Sequence, residues 1–201
     1  GTLYKLYIEW KGGGAERLPA YLTRAVQDPV TKTFCAQVWD PATKYEWKNA
    51  APGKRPHPLI YECHIGMAAE EEKVGTFEEF RLNVLPKVAE LGYDTLQIMA
   101  LQEHPYYASF GYQVANFYAL SSRFGTPEEF KALVDDAHGM GIAAVMDIVH
   151  SHAVKNELEG LSNIDGSGGF PYFHEGEAGE HPAWGTRCFN YGRDETLQFL
   201  L

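Results

Sequence analysis

Three cysteines in 201 residues, Cys35, Cys63 and Cys188, are too few and too odd in number for a disulfide framework. They read as free thiols, which points to a reducing compartment and an expected cytoplasmic location. Positive charge is scarce too: 17 Lys and Arg face 27 Asp and Glu, a net charge of −10. That balance argues against a nucleic acid or anionic membrane partner. No apolar run approaches the roughly 18–20 residues of a membrane span, and no secretory leader opens the chain. Missing as well are a Gly-x-Ser-x-Gly elbow, a Cys-x-x-Cys pair and a P-loop. Asp165-Gly166-Ser167-Gly168-Gly169 does not run from a strand into a helix, so it reads as a flexible loop and not as a phosphate cradle. What remains is globular composition, 45% hydrophobic, with length for one or two domains. The abrupt start at Gly1-Thr2-Leu3 and the apolar stop at Phe199-Leu200-Leu201 read as an excised piece.

The patterning changes near residue 55. Before it, alternating runs at Tyr4–Trp10 and Thr33–Val38, separated by a break beginning at Gly12-Gly13-Gly14, predict antiparallel strands. Fifty residues are too few for a complete sandwich, so 1–55 reads as one end of a β domain. Pro52–Pro58 is a stiff connector. After it come an apolar strand at Leu59–Ile65 and a helix over Phe77–Leu91. Thr76 and Glu79 form a capping box for that helix, Gly92 follows its end, and Pro86 interrupts its regularity. A strand at Thr95–Ala100 follows. A second capped helix covers Pro127–His138, with Thr126 and Glu129 as the box and Gly139 as the stop. A third strand, Gly141–Val149, is nearly all apolar, and a last helix starts at Asp194. Strand–helix alternation with apolar strands predicts α/β architecture with buried parallel strands. Both a doubly wound sheet and a (β/α)₈ barrel fit. A full barrel needs roughly 250 residues, so as a barrel this chain holds its first three βα units.

Active sites in such folds lie in loops after the strands. The first loop carries Glu70-Glu71-Glu72-Lys73, which reads as a solvated charge run. The second, Leu101–Gln113, is long and rich in tyrosine, and sets Glu103 beside His104. Tyrosine offers a flat apolar face to sugar C–H groups and a hydroxyl to their rim, but a packed loop over the rim fits equally. The third is Asp147-Ile148-Val149-His150-Ser151-His152. A carboxylate ending an apolar strand needs a cationic or hydrogen-bonding partner, and local backbone N–H groups are the plain alternative. His150 and His152 also have the spacing of a metal pair, although metal hydrolases on barrels place it on the first strand.

In these loops the sequence resembles the α-amylase superfamily, glycoside hydrolase family 13, and within it the 1,4-α-glucan branching enzymes of eukaryotic type. The motifs come in order: Tyr61–Gly66, Glu103–Gln113, Arg123–Pro127, Asp147–His152, Trp184–Arg187 and Phe189–Tyr191. Residues 1–55 resemble the end of the family-48 carbohydrate-binding β-sandwich, and 56–201 the N-terminal part of the catalytic barrel. The resemblance implies that Tyr112 stacks on the glucose beside the scissile bond. Asp147 would be a buried aspartate supporting the catalytic carboxylates, and His152 would hydrogen-bond the same glucose. Glu103 and His104 would shape that subsite. Glu195, Thr196, Leu197 and Gln198 match a segment tied to glucan binding, and Lys5 a binding lysine of the module. Ser151 stands where many amylases have Asn, a departure shared by branching enzymes. The family is retaining and needs two carboxylates about 5 Å apart. The resemblance places them after later strands, beyond Leu201, so no catalytic residue is expected in this chain. The implied partner is an α-glucan, glycogen or starch chains, with no cofactor and no metal. Rival readings are a hydrolase or debranching enzyme of the same superfamily, a non-catalytic glucan-binding protein, and a metal hydrolase using His150 and His152.

Overall fold

In the computed structural model, which describes residues 1–169 and 171–201, the chain packs as two units, each assembled from separate stretches of sequence. One unit comprises 41–101 and 121–147, the other 1–40, 102–120 and 148–201. The boundary expected near residue 55 is a division along the chain. The compact units divide it at other points.

The first unit holds the α/β pattern. Strands Ile60–Cys63, Thr95–Ile98 and Ala143–Met146 are parallel, with Thr95–Ile98 in the middle. Ile60, Thr95 and Ala143 are in register at one end, Cys63, Ile98 and Met146 at the other. Leu96 and Ile98 of the central strand are buried. All three strands are shorter than their apolar runs. The third ends at Met146 and not at Val149, although the Asp147 N–H still donates to the Ile98 carbonyl.

The helix expected over Phe77–Leu91 begins with its capping box, in which the Thr76 hydroxyl accepts from Glu79 N and the Glu79 carboxylate accepts from Thr76 N. It is not one regular helix. Phe80–Val84 is a π turn, in which Leu85 N donates to the Phe80 carbonyl five residues back, and the α pitch resumes over Leu85–Glu90. Pro86 has no N–H, and in a continuous α ladder its ring would strike the Leu82 carbonyl, so the wider turn removes the conflict. Phe77, Phe80, Leu85 and Val88 are buried, and Gly92 leaves with a φ of +84°.

The second helix runs Pro127–Gly139, again with a complete capping box, at Thr126 and Glu129. Gly139 is not its stop: the left-handed residue is Gly141, with a φ of +76°. Gly139 serves a close approach, since a Cβ there would lie 3.0 Å from Asn49 Nδ2. On the same helix Asp135 is 1% exposed. It accepts from the Tyr45 hydroxyl and from the backbone N–H groups of Lys48 and Asn49, bracketing the 45–49 segment. Those donors hold the Asp135 carboxyl down at about 2, against the opposing pull of burial. The Glu70–Lys73 run resolves into surface pairs, with Lys73 bridging Glu71 and Glu79.

The second unit is antiparallel. Leu6–Trp10 pairs with Gly13–Arg17, so Gly13 and Gly14 lie in a strand and not in a break. Cross-strand aromatics cover them: a Cβ on Gly13 would meet the Trp10 indole at 3.2 Å, and one on Gly14 the Tyr7 hydroxyl at 3.0 Å. Phe34–Gln37 is flanked by Leu3–Tyr4 and Ala25–Gln27. Leu18, Leu22, Ala25, Phe34 and Ala36 form a core with Ala119, which belongs to the strand Asn116–Leu120. Stretch 150–193, aperiodic by sequence, supplies a three-stranded antiparallel sheet with Thr186–Cys188 between His152–Val154 and Glu180–His181. Phe117, Phe173, Phe189 and Phe199 pack edge and face, the last from the closing helix Asp194–Leu200. Full burial of such rings is worth about 1.5–3 kcal/mol apiece. The 165–169 loop, expected to be flexible, is tied down at several points. The Ser167 N–H and hydroxyl both donate to the Asp165 carboxylate, and the buried Arg187 guanidinium donates to the Gly168 and Ser162 carbonyls. Among the described residues no helix is long and apolar enough to cross a membrane.

Candidate functional site

A cleft of about 710 Å³ opens in the second unit, lined by Ser109, Tyr112, Gln113, the run Ile148–His152, Trp184 and Tyr191. Each lining segment is held by backbone or buried polar bonds. Gln102 and Glu103 pair with the strand Asn116–Leu120 through a bulge, which fixes both ends of the tyrosine-rich loop. Buried Gln102 donates to the Phe117 carbonyl and accepts from Val149 N, tying the loop's base to the cleft segment. A 3₁₀ turn at Tyr107–Ser109 then delivers Phe110 and Gly111 in left-handed conformation, at φ values of +53° and +87°. For a phenylalanine that backbone costs about 1–2 kcal/mol. Strain of this kind collects where a side chain must be presented in one orientation, and the next residue is Tyr112.

His152 begins the strand that pairs with Thr186–Cys188 and is 5% exposed. Burial first, and then the charge of His181, hold its pKa below the ordinary histidine value. It is therefore neutral at neutral pH and carries one N–H and one lone pair. Its Nδ1 is buried and has no hydrogen-bond partner among the described residues. A neutral imidazole lining the cleft suits a neutral hydroxyl ligand better than an anion. The ring touches the Trp184 indole, centroid to centroid 5.0 Å. Trp184 itself lies flat on the His181 imidazole, at 4.2 Å and 3°. Tyr191 donates its hydroxyl to the His150 carbonyl at 2.6 Å. Among the described residues no three His, Cys, Asp or Glu side chains gather as a metal group would require.

The structure thus brings Tyr112 and His152 to one cleft and leaves the other expected residues off its lining. Glu103 and His104 are fully buried. Glu103 accepts from His104 N, and His104 Nδ1 bonds the Gln102 carbonyl, so both act on the base of the tyrosine loop. In the closing helix Thr196 is buried and donates to the Tyr172 carbonyl, while Glu195, Leu197 and Gln198 are exposed. Lys5 pairs with Glu16 on the N-terminal hairpin at 3.0 Å. Asp147, implied to be buried, is half-exposed in the parallel-sheet unit, because its strand has a neighbour on one side only. It accepts from the Gln97 amide at 3.0 Å.

Sequence reasoning did not single out Trp184, Tyr191, Ser109 or Gln113 as site residues. Trp184 and Tyr191 lay in recognised motifs, but only the structure shows that each is more than half exposed, at 56% and 51%, beside the cleft.

A family model described as the alpha amylase catalytic domain matches residues 82–163. A 1,4-alpha-glucan-branching enzyme of Yarrowia lipolytica is 50% identical over 94% of this chain. One from Rhizophagus irregularis is 51% identical over 95%, and one from Aspergillus oryzae 52% over 92%. The chain spans 28%, 28% and 27% of those three proteins. Among solved structures, an alpha amylase candidate from Salmonella typhimurium matches with a TM-score of 0.73 and 29% identity, over 92% of this chain and 29% of that one. The chain is thus similar along nearly its whole length to 1,4-alpha-glucan-branching enzymes, and residues 82–163 match the alpha amylase catalytic domain.

Proposed function

We propose that this chain supplies the sugar-binding wall of a 1,4-α-glucan branching enzyme, acting in glycogen or starch synthesis in the cytoplasm. Such an enzyme cleaves an α-1,4 chain and passes it to a glucose 6-hydroxyl. The single observation that carries the reading is the cleft, which is lined by the Tyr112 and Trp184 rings and by a His152 that burial keeps uncharged at neutral pH. Aromatic faces take sugar C–H surfaces, and a neutral imidazole takes a hydroxyl. The identity of about half to branching enzymes along the chain supports the glucan as ligand. In this reading residues 1–55 are the end of a family-48 carbohydrate-binding sandwich and 56–201 the first three βα units of the barrel. Asp147 supports carboxylates supplied from outside this chain, and no cofactor takes part. The test is calorimetric titration of the chain with maltoheptaose and with cellohexaose. Maltoheptaose should bind and cellohexaose should not. Equal binding of both, or of neither, overturns the α-glucan reading, and Tyr112→Ala should abolish most of the maltoheptaose heat.

A further inference from the structure

Trp184 is a large apolar ring kept in water. It is 56% exposed, yet it is not loose. Its backbone N–H and that of Gly185 both donate to the His181 carbonyl, at 3.2 and 2.8 Å, which closes a tight turn with Gly185 at a φ of +62°. Its carbonyl accepts from Gln113 Nε2 at 3.0 Å, beside Tyr112. One indole face lies parallel on His181 at 4.2 Å, and His152 abuts it at 5.0 Å. His181 is fixed in turn, because the strand Glu180–His181 pairs with Thr186 and Arg187. Arg187 is 9% exposed and anchors its own strand, Thr186–Cys188, by donating to the Ser162 and His174 carbonyls.

An exposed indole held from one side loses little freedom when a ligand covers the rest. What sets Trp184 apart from other exposed rings is its place: it lines the cleft that Tyr112 and His152 also line, clamped from behind by His181. We propose that Trp184 is a second sugar-stacking wall of the cleft, taking a pyranose ring of an α-glucan next to the one on Tyr112, with His181 as its positioning residue. The inference rests on the α-glucan reading and adds a specific subsite to it. His152 then sits between the two walls, touching the indole that carries one sugar and lining the same cleft as Tyr112.

The test is a titration of the chain with maltoheptaose, followed by the indole N–H NMR signal of Trp184, which is assigned by its loss in Trp184→Phe. The signal should shift on binding. Trp184→Ala should weaken binding about tenfold, equal to about 1.4 kcal/mol. Trp184→Phe should weaken it less, and His181→Ala should fall between, with the melting temperature of each variant close to that of the unsubstituted chain. Maltoheptaose binding with an unmoved Trp184 signal, or with undiminished affinity in Trp184→Ala, overturns this inference and leaves the α-glucan reading standing. No maltoheptaose binding by the folded, unsubstituted chain overturns both. If Trp184→Ala does not fold, the signal in the unsubstituted chain still decides.

Discussion

His152 is buried as a neutral ring, and this makes it a point where acid acts on the fold. Its folded pKa lies below the unfolded value of about 6.5, and burial lowers that of His64 in the same direction. The unfolded chain therefore binds protons first as pH falls. The stability tied to these rings is whole above about pH 6.5 and declines as pH drops toward the folded pKa. The melting temperature should fall between about pH 7 and about pH 5, and His152→Gln should flatten that slope. An identical slope in the variant would show that His152 does not titrate as described. Gly111 gives a second expectation at this scale. At a φ of +87° an alanine is strained, so Gly111→Ala should cost about 1–2 kcal/mol in a denaturant melt and should weaken maltoheptaose binding by misdirecting Tyr112. Tyr112 and His152 were legible in the sequence through motif resemblance. Trp184 was not, because exposure of an aromatic in a glycine-bearing loop depends on what packs beneath it, here His181 from a two-residue strand.

Both main helices announce themselves by side chains that act locally, and their starts were readable for that reason. Thr126 and Glu129 satisfy each other's backbone N–H groups within four residues. Thr126→Ala should cost about 1 kcal/mol by thermal or urea unfolding, with the fold unchanged. Helix ends and interiors were less legible. Pro86 signals an irregularity, but whether it produces a kink, a break or a π turn is decided by burial of Phe80 and Leu85 on either side. The Asp135 bracket was invisible in sequence, since its donors lie 86–90 positions away. With its carboxyl held at about 2, the bracket is intact above the ordinary aspartate value near 3.8 and is lost as pH falls through about 2. Asp135→Asn keeps the size and removes the charge, so it should lower the melting temperature at about pH 7 and leave little difference from the unsubstituted chain at about pH 2. A variant as stable as the parent at neutral pH would show that the charge is not what holds residues 45–49.

At the scale of the molecule the chain passes between its two units four times, and two of these passages follow the central and third parallel strands directly. The α/β unit was legible because its strands and helices are each contiguous and periodic. In the antiparallel unit the alternating runs at Tyr4–Trp10 and Thr33–Val38 were legible and hold the strands Leu6–Trp10 and Phe34–Gln37. The strands of 102–120 and 148–201 were not, because pieces of two to five residues taken from distant stretches have no period of their own. The cleft is built in that second unit, and its lining residues are hydroxyls, an amide, imidazoles, aromatics and aliphatics. None of those lining residues is an aspartate or a glutamate. Retaining glycoside chemistry requires two carboxylates about 5 Å apart, one to attack and one to donate and recover a proton. A cleft with binding groups and no acid can hold a sugar ring but has neither nucleophile nor proton donor to offer it. The chain should therefore bind maltoheptaose and leave amylose unbranched, with no new reducing ends and no shift in the amylose–iodine absorbance during prolonged incubation. On the proposed reading, a full-length protein containing this chain should bind maltoheptaose and branch amylose. Branching by the 201 residues alone would mean that acids elsewhere in the chain reach the bound sugar, and the division between binding wall and catalytic carboxylates would have to be abandoned.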